Sequence, residues 1–197
     1  MKYNYKKIRD EVAAKVKRAC YSPDNYCTET VWPFHILPVA EHCLKLGKKL
    51  KADLEVLELA ALLHDLAAVT DKKYAEDHHI HGAKMAEKIL SELGMPEEKI
   101  INIKNCVLNH RGSKPGRRES LEEKILASAD AMSHITELAD MMYLTYGVHK
   151  FKTEPGAAWL KSKLERGWKK IMPQGRQMIR KDYKTAMIIL DQVINRL

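Results

Sequence analysis

The chain has 197 residues, 45% of them hydrophobic and 30% charged, with a formal net charge of +8, a balance that supports one sizeable core and excludes a disordered or fibrous chain. Its longest apolar run, residues 57–69, is broken by Glu58 and by His64-Asp65, so it falls short of the ~20 apolar residues that a membrane helix needs. The charged N-terminal stretch lacks the apolar segment of a secretory signal, and the scattered Cys20, Cys27, Cys43 and Cys106 form no Cys-x-x-Cys pair, so free thiols and a cytoplasmic location are expected, with no membrane contact.

Almost every segment repeats with helical period, which makes the fold class all-α, and residues 1–197 read as a single domain. An amphipathic helix is predicted from about Tyr5 to Ala19, with Ile8, Val12 and Val16 on one face. Pro23, Asp24, Asn25 and Pro33 make the stretch from Cys20 to Pro33 a loop. The second helix starts near Pro38 and runs to about Leu50, which leaves His35 just ahead of it or in its opening turn. Asp53 is the N-cap of the next helix, and His64-Asp65 lie near its C-terminal end.

A further helix spans about His79 to Leu93, stopped by Gly94 and Pro96. Glu97 and Glu98 open another, on which Ile100, Ile103, Val107 and His110 share a face, and Gly112 is read as its left-handed cap. Ser120 and Glu123 form a capping box for a helix that stacks Leu126, Asp130 and His134 one turn apart. Gly147, Pro155 and Gly156 mark a break, after which residues 159–166 and 178–194 read as C-terminal helices separated near Pro173-Gly175.

Charge is unevenly spread. Residues 150–197 carry 12 Lys/Arg and 4 Asp/Glu, whereas residues 1–149 carry 22 of each sign. A basic stripe suits nucleic acid or a small anion, but no recognition motif accompanies it, so nucleic acid is not favoured and a solvated helix face is the simpler reading. The C-terminal helices are compatible with covering a pocket or with building a homodimer.

His64-Asp65 follows an apolar run, and burying an imidazole and a carboxylate without compensation costs several kcal/mol. A single such pair is commonly just a hydrogen-bonded histidine. Here the same problem recurs: His35, His78, His110 and Asp130 each fall at a helix end or on an apolar face of a different predicted element. A bound cation satisfies all of them together.

In this order the residues resemble the HD superfamily of metal-dependent phosphohydrolases. The matching motifs are His35 in His-x-x-Pro-Val, His64-Asp65 in Leu-Leu-His-Asp-Leu, His78 in His-x-x-x-Gly-Ala, His110 in Asn-His-Arg and Asp130 in Ala-Ser-Ala-Asp-Ala-Met. The likeness covers about residues 31–140, with residues 150–197 as a C-terminal extension. It implies an HD-domain helical bundle with additional N- and C-terminal helices. It also implies a first metal held by His35, His64, Asp65 and Asp130, and, in the two-metal branches, a second held by His78 and His110 with Asp65 bridging. Gly82-Ala83 points to His78, His81 is the alternative, and His79 is expected at a solvated helix start.

A nitrogen and oxygen donor set suits Mn²⁺, Fe²⁺, Co²⁺, Ni²⁺ or Zn²⁺, one ion or two. The implied chemistry is attack on a small phosphate ester or nucleotide by metal-activated hydroxide, with Asp65 and His64 as candidate catalytic residues. A basic rim follows the motifs: Lys72 and Lys73, then Arg111, Lys114, Arg117 and Arg118, with Arg111 and Lys114 nearest the metal ligands and His134 as a further substrate contact. The family's nucleotidase branch has an acid three positions after the HD aspartate, where this chain has Ala68; Asp71 is a nearby substitute. The Gly-Tyr-Pro signature of the cyclic-dinucleotide branch is missing. Two other readings stay open: a di-iron oxygenase using the same ligand set, and a regulatory or polyanion-binding protein with a structural metal.

Overall fold

Asn4 begins the first helix by accepting the Lys7 N–H, and α1 (Tyr5–Cys20) then buries Ile8, Val12, Val16 and Cys20 at four-residue intervals. The computed structural model describes residues 3–25, 27–111 and 118–196, and among them there is no strand. α1 packs across α3 (Leu54–Leu63) and α4 (Leu66–Thr70), so its apolar stripe backs the turn that carries His64 and Asp65. Each fully buried Val or Ile there contributes roughly 1.5–3 kcal/mol.

The helical path toward the second element begins earlier than Pro38. A π-helical turn over Trp32–Ile36 runs straight into α2 (Leu37–Leu50), and the Leu37 N–H bonds to Trp32 O, five residues back. Pro38 has no N–H to offer Phe34 O, so the ordinary i−4 ladder is broken at this point and the wider turn accommodates the gap. His35 lies in that turn and is carried inward.

α2 packs on α3 and on α7 (Leu121–Thr136), α3 also packs on α6 (Glu97–Asn109), and α6 packs on α5 (His78–Glu92). Asp53 caps α3 by accepting the Glu55 and Val56 N–H groups, and Ser120 and Glu123 close a reciprocal capping box on α7. Gly94, at φ +73°, ends the stretch after α5 with a left-handed turn that favours glycine. His79 is buried, not solvated as a helix start would be. It shares one face of α5 with Gly82, Ala83, Ala86 and Leu90, and that face is the packed one. Gly82 lets this face approach the end of α3, since a Cβ there would stand 3.5 Å from His64 O and 3.3 Å from Val107 Cγ1.

The C-terminal part also departs from its sequence reading. After α8 (Leu138–Met142) and a second π-helical turn, Tyr143–Val148, α9 spans Thr153–Lys170, so Pro155-Gly156 lies inside its first turns. Proline is harmless there because first-turn N–H groups have no partner in the helix. Gly156 is needed for a different reason: a Cβ would strike the Tyr146 ring at 2.4 Å. Likewise Pro173-Gly175 opens a short helix, α10 (Pro173–Met178), before α11 (Arg180–Ile194). α9 packs against α7 and α11, which brings the basic end of the chain onto the helix that carries Asp130. Among the described residues no helix is long and apolar enough to cross a membrane.

His42, buried between α2 and α7, shares its Nε2 with Thr136 Oγ1 at 3.2 Å, and its Nδ1 has no hydrogen-bond partner among the described residues. Burial, helped by Lys45, pushes its pKa from 6.5 down to about 4. The unfolded chain therefore takes up a proton that the folded one refuses, so this contribution to stability is complete above pH 6.5 and is lost as pH falls toward 4. Urea unfolding at pH 7 and pH 4.5 should show up to ~3 kcal/mol more acid loss in the natural protein than in His42→Gln. Equal losses would remove His42 as the cause.

Candidate metal centre

α3 stops after Leu63, and Asp65, at φ −107° and ψ 9°, starts α4. That sparsely populated backbone region recurs at active sites. The break aims the His64 and Asp65 side chains at one point. Asp65 Oδ2 faces His35 Nε2 at 3.3 Å and His64 Nε2 at 3.4 Å, while Oδ1 faces His78 Nε2 at 3.4 Å and His110 Nε2 at 3.6 Å. The carboxylate thus stands between two pairs of imidazoles. Asp130 Oδ1 reaches His35 Nε2 at 3.7 Å from α7.

The far nitrogen of every ring is already engaged. His64, His78 and His110 donate Nδ1–H to the carbonyls of Ala61, Ala75 and Val107 at 2.7–2.9 Å, each three residues earlier in the chain. The Ser133 hydroxyl spends its hydrogen on Asp130 O at 2.9 Å, which leaves its oxygen to accept from His35 Nδ1 at 2.9 Å. With Nδ1 fixed in this way, each ring turns its Nε2 to the centre. Yet His35 and His64 Nε2 lie 3.1 Å apart, and His78 and His110 Nε2 lie 3.3 Å apart. Two ring nitrogens this close need a proton or a metal ion between them, and four of them converging with the Asp65 and Asp130 carboxylates make a nitrogen and oxygen donor set that fits a metal. The groups that could hold one are His35-His64-Asp65, Asp65-His78-His110 and His35-Asp130-His134.

Electrostatics agree with that arrangement. Burial opposes charge on His64, but Asp65 and Asp130 outweigh it and lift its pKa to about 9, so a metal must displace a proton there. Burial also opposes charge on Asp65 and Asp130, yet the surrounding cationic groups, His64 for the first and Lys170 for the second, hold both carboxyls well below the usual range. His134 stacks on His35, with ring centroids 5.0 Å apart, and burial followed by Lys163 drives its pKa well down, so it stays neutral.

A family model of the HD domain matches residues 34–135, just over half of the chain. The chain belongs to the HD family. Among solved structures, Bacillus subtilis YpgQ superposes with a TM-score of 0.74 at 20% identity, covering 95% of this chain and 94% of that one. A predicted HD superfamily hydrolase from an uncultured Thermotogales bacterium gives 0.63 at 21% identity, with 93% and 89% covered. YpgQ in complex with ADP gives 0.73 at 18% identity, with 98% and 96% covered. At these identities the likeness is one of fold. No curated protein matches the sequence.

The HD motif residues His35, His64, Asp65, His78, His110 and Asp130 therefore come together, whereas His81 lies against the Tyr74 ring, 4.5 Å between centroids. All of the motif residues but the fully buried His64 line a cavity of about 470 Å³. Arg111 and His134 line it. Lys72 and Lys73 are not among its lining residues: Lys73 pairs with Asp71 at 2.8 Å, which occupies that acid away from the site. Ala68 is buried in the core. Lys114, Arg117 and the proposed cap Gly112 lie outside the described residues. Arg118 donates to the Asn109, His110 and Arg111 carbonyls and so caps the end of α6 behind His110.

The opposite wall holds what the sequence reading did not find. Lys163, Arg166, Gly167 and Lys170 occupy one face of α9 and line the same cavity. Lys170 Nζ is 2.6 Å from Asp130 Oδ2, whereas no carboxylate pairs with Lys163 among the described residues. The C-terminal charge excess was the available signal, together with the spacing of three and four among these cations.

Proposed function

We propose that the protein is a metal-dependent phosphohydrolase acting on a small phosphate ester or nucleotide. The observation that carries this reading is one carboxylate, Asp65, placed between two imidazole pairs and facing a cavity whose far wall is cationic. His35, His64, Asp65 and Asp130 would hold one ion, and His78 and His110 a second with Asp65 shared. When bound, such ions lower the pKa of water to around 7 and polarise a phosphoryl oxygen. Crystallisation of the similarly folded YpgQ with ADP supports a phosphate ligand for this architecture.

The chain's own residues supply the rest. Lys163, Arg166 and Arg111 receive the phosphate oxygens and hold them toward Asp65, with Lys supplying compact charge and Arg a fork of donors. Lys170 steadies Asp130 and adds to the same positive field. Asp65, the carboxylate shared by both imidazole pairs, would orient the attacking water. His134 remains neutral beside His35 and is placed to donate a hydrogen bond to the leaving group.

The test is turnover of a panel of phosphate monoesters, nucleotides and p-nitrophenyl phosphate by protein loaded in turn with Mn²⁺, Co²⁺, Ni²⁺, Fe²⁺ and Zn²⁺, with metal content and oxygen uptake followed in parallel. Phosphate release without oxygen uptake is the expected result. Substrate-dependent oxygen consumption by an iron form, or no release with any metal, would overturn the assignment.

A further inference from the structure

A second cavity, of about 450 Å³, meets the first at His35, Asp65 and His134 but has the opposite character. Val31 and Phe34 near the first π-helical turn, and Met141, Leu144 and Val148 from α8 and the turn after it, make its walls apolar. Two carboxylates, Glu137 and Asp140, stand in the same wall. Neither has an ion-pair partner among the described residues. The volume falls in the range of small-ligand pockets, which is ample for a ring-sized group.

We infer that this chamber receives the organic part of the substrate, and that this part is an apolar, ring-sized group bearing a protonated amine. The inference rests on the phosphohydrolase reading for the other end of the molecule. Because the chambers join at the metal centre, one substrate can span both, with its phosphate on the Lys163–Lys170 face and its amine on Glu137 and Asp140. Reversed insertion is penalised twice, since it sets phosphate against carboxylates and amine against lysines. The apolar walls supply area for the ring, and the half-buried carboxylates, of which Glu137 already accepts a hydrogen bond from the Thr136 hydroxyl, would form charge-assisted hydrogen bonds to the amine. The acidic pair thereby selects among phosphate esters that the cationic wall alone would accept equally.

Binding can be read without turnover, by calorimetry and ligand-observed NMR on the metal-loaded protein at pH 7 with benzylamine, benzyl alcohol and benzoate as probes. Benzylamine should bind at least roughly tenfold more tightly than benzyl alcohol, benzoate should bind weakest, and Glu137→Gln should erase the preference. Leu144→Trp, which fills the chamber, should weaken benzylamine and benzyl alcohol alike. Equal binding of benzylamine and benzyl alcohol, or a preference unchanged by Glu137→Gln, would overturn the inference. Failure of the phosphate panel would instead count against the hydrolase reading, because these probes contain no phosphate.

Discussion

Asp65→Ala should abolish phosphate release, by roughly 10³-fold or more in kcat/KM, equivalent to about 4 kcal/mol of transition-state stabilisation. The reason is topological: among the described residues Asp65 is the one side chain whose two oxygens face both imidazole pairs, so its loss disables both halves of the centre together. Metal analysis after dialysis should show the pair of ions lost, with far-UV circular dichroism still helical. His78→Ala separates the halves, because it leaves the His35-His64-Asp65 group intact. His81→Ala serves as the control on the neighbouring turn, since its ring packs on Tyr74. Full activity in Asp65→Ala would remove the metal-centred account altogether.

The second large effect belongs to α9. Lys163→Met should cost roughly 10–100-fold in kcat/KM, mainly through KM, because this lysine pairs with no carboxylate among the described residues and lines the cavity that receives the substrate. Lys170→Met should behave differently. Its Nζ is tied to the buried Asp130, and removing one member of a buried pair leaves an uncompensated charge that costs about 3 kcal/mol. Metal ions beside Asp130 would replace that charge, so the stability loss should be large in chelator-treated protein and much smaller after metal is restored. Denaturant unfolding of both forms measures the difference. A Lys170→Met loss that is the same with and without metal would place Asp130 outside the metal's reach.

These predictions draw on features that were unequally visible in the sequence. His64-Asp65, His78, His110 and Asp130 could be found because each belongs to a short local motif, and the capping signals at Asp53 and Ser120 are written within four residues. The turn at His35 was harder. An i−5 ladder leaves no periodic trace in five residues, and Pro38 reads equally well as a helix start or as the break that tolerates a wider turn. Pro155-Gly156 was misread for a similar reason, since proline in a first turn looks like proline in a loop. His79 looked solvated because its burial depends on which face of α5 packs, and the three histidines of that turn do not reveal it. The α9 cations were counted but not placed: Lys163, Arg166 and Lys170 line the cavity while Lys169, one residue away, does not, and only the docking of α9 on α7 decides between them.

Three of the four central imidazoles are steered by a carbonyl of their own chain, three residues upstream. Ring orientation is therefore a property of each helix end and travels with it as a unit. Distant substitutions can shift these ends relative to one another, altering the spacing of the donors, without rotating any ring out of line. An architecture that stores its aiming information locally can let the rest of its sequence drift far, and that freedom matches a fold shared at only 20% identity with YpgQ.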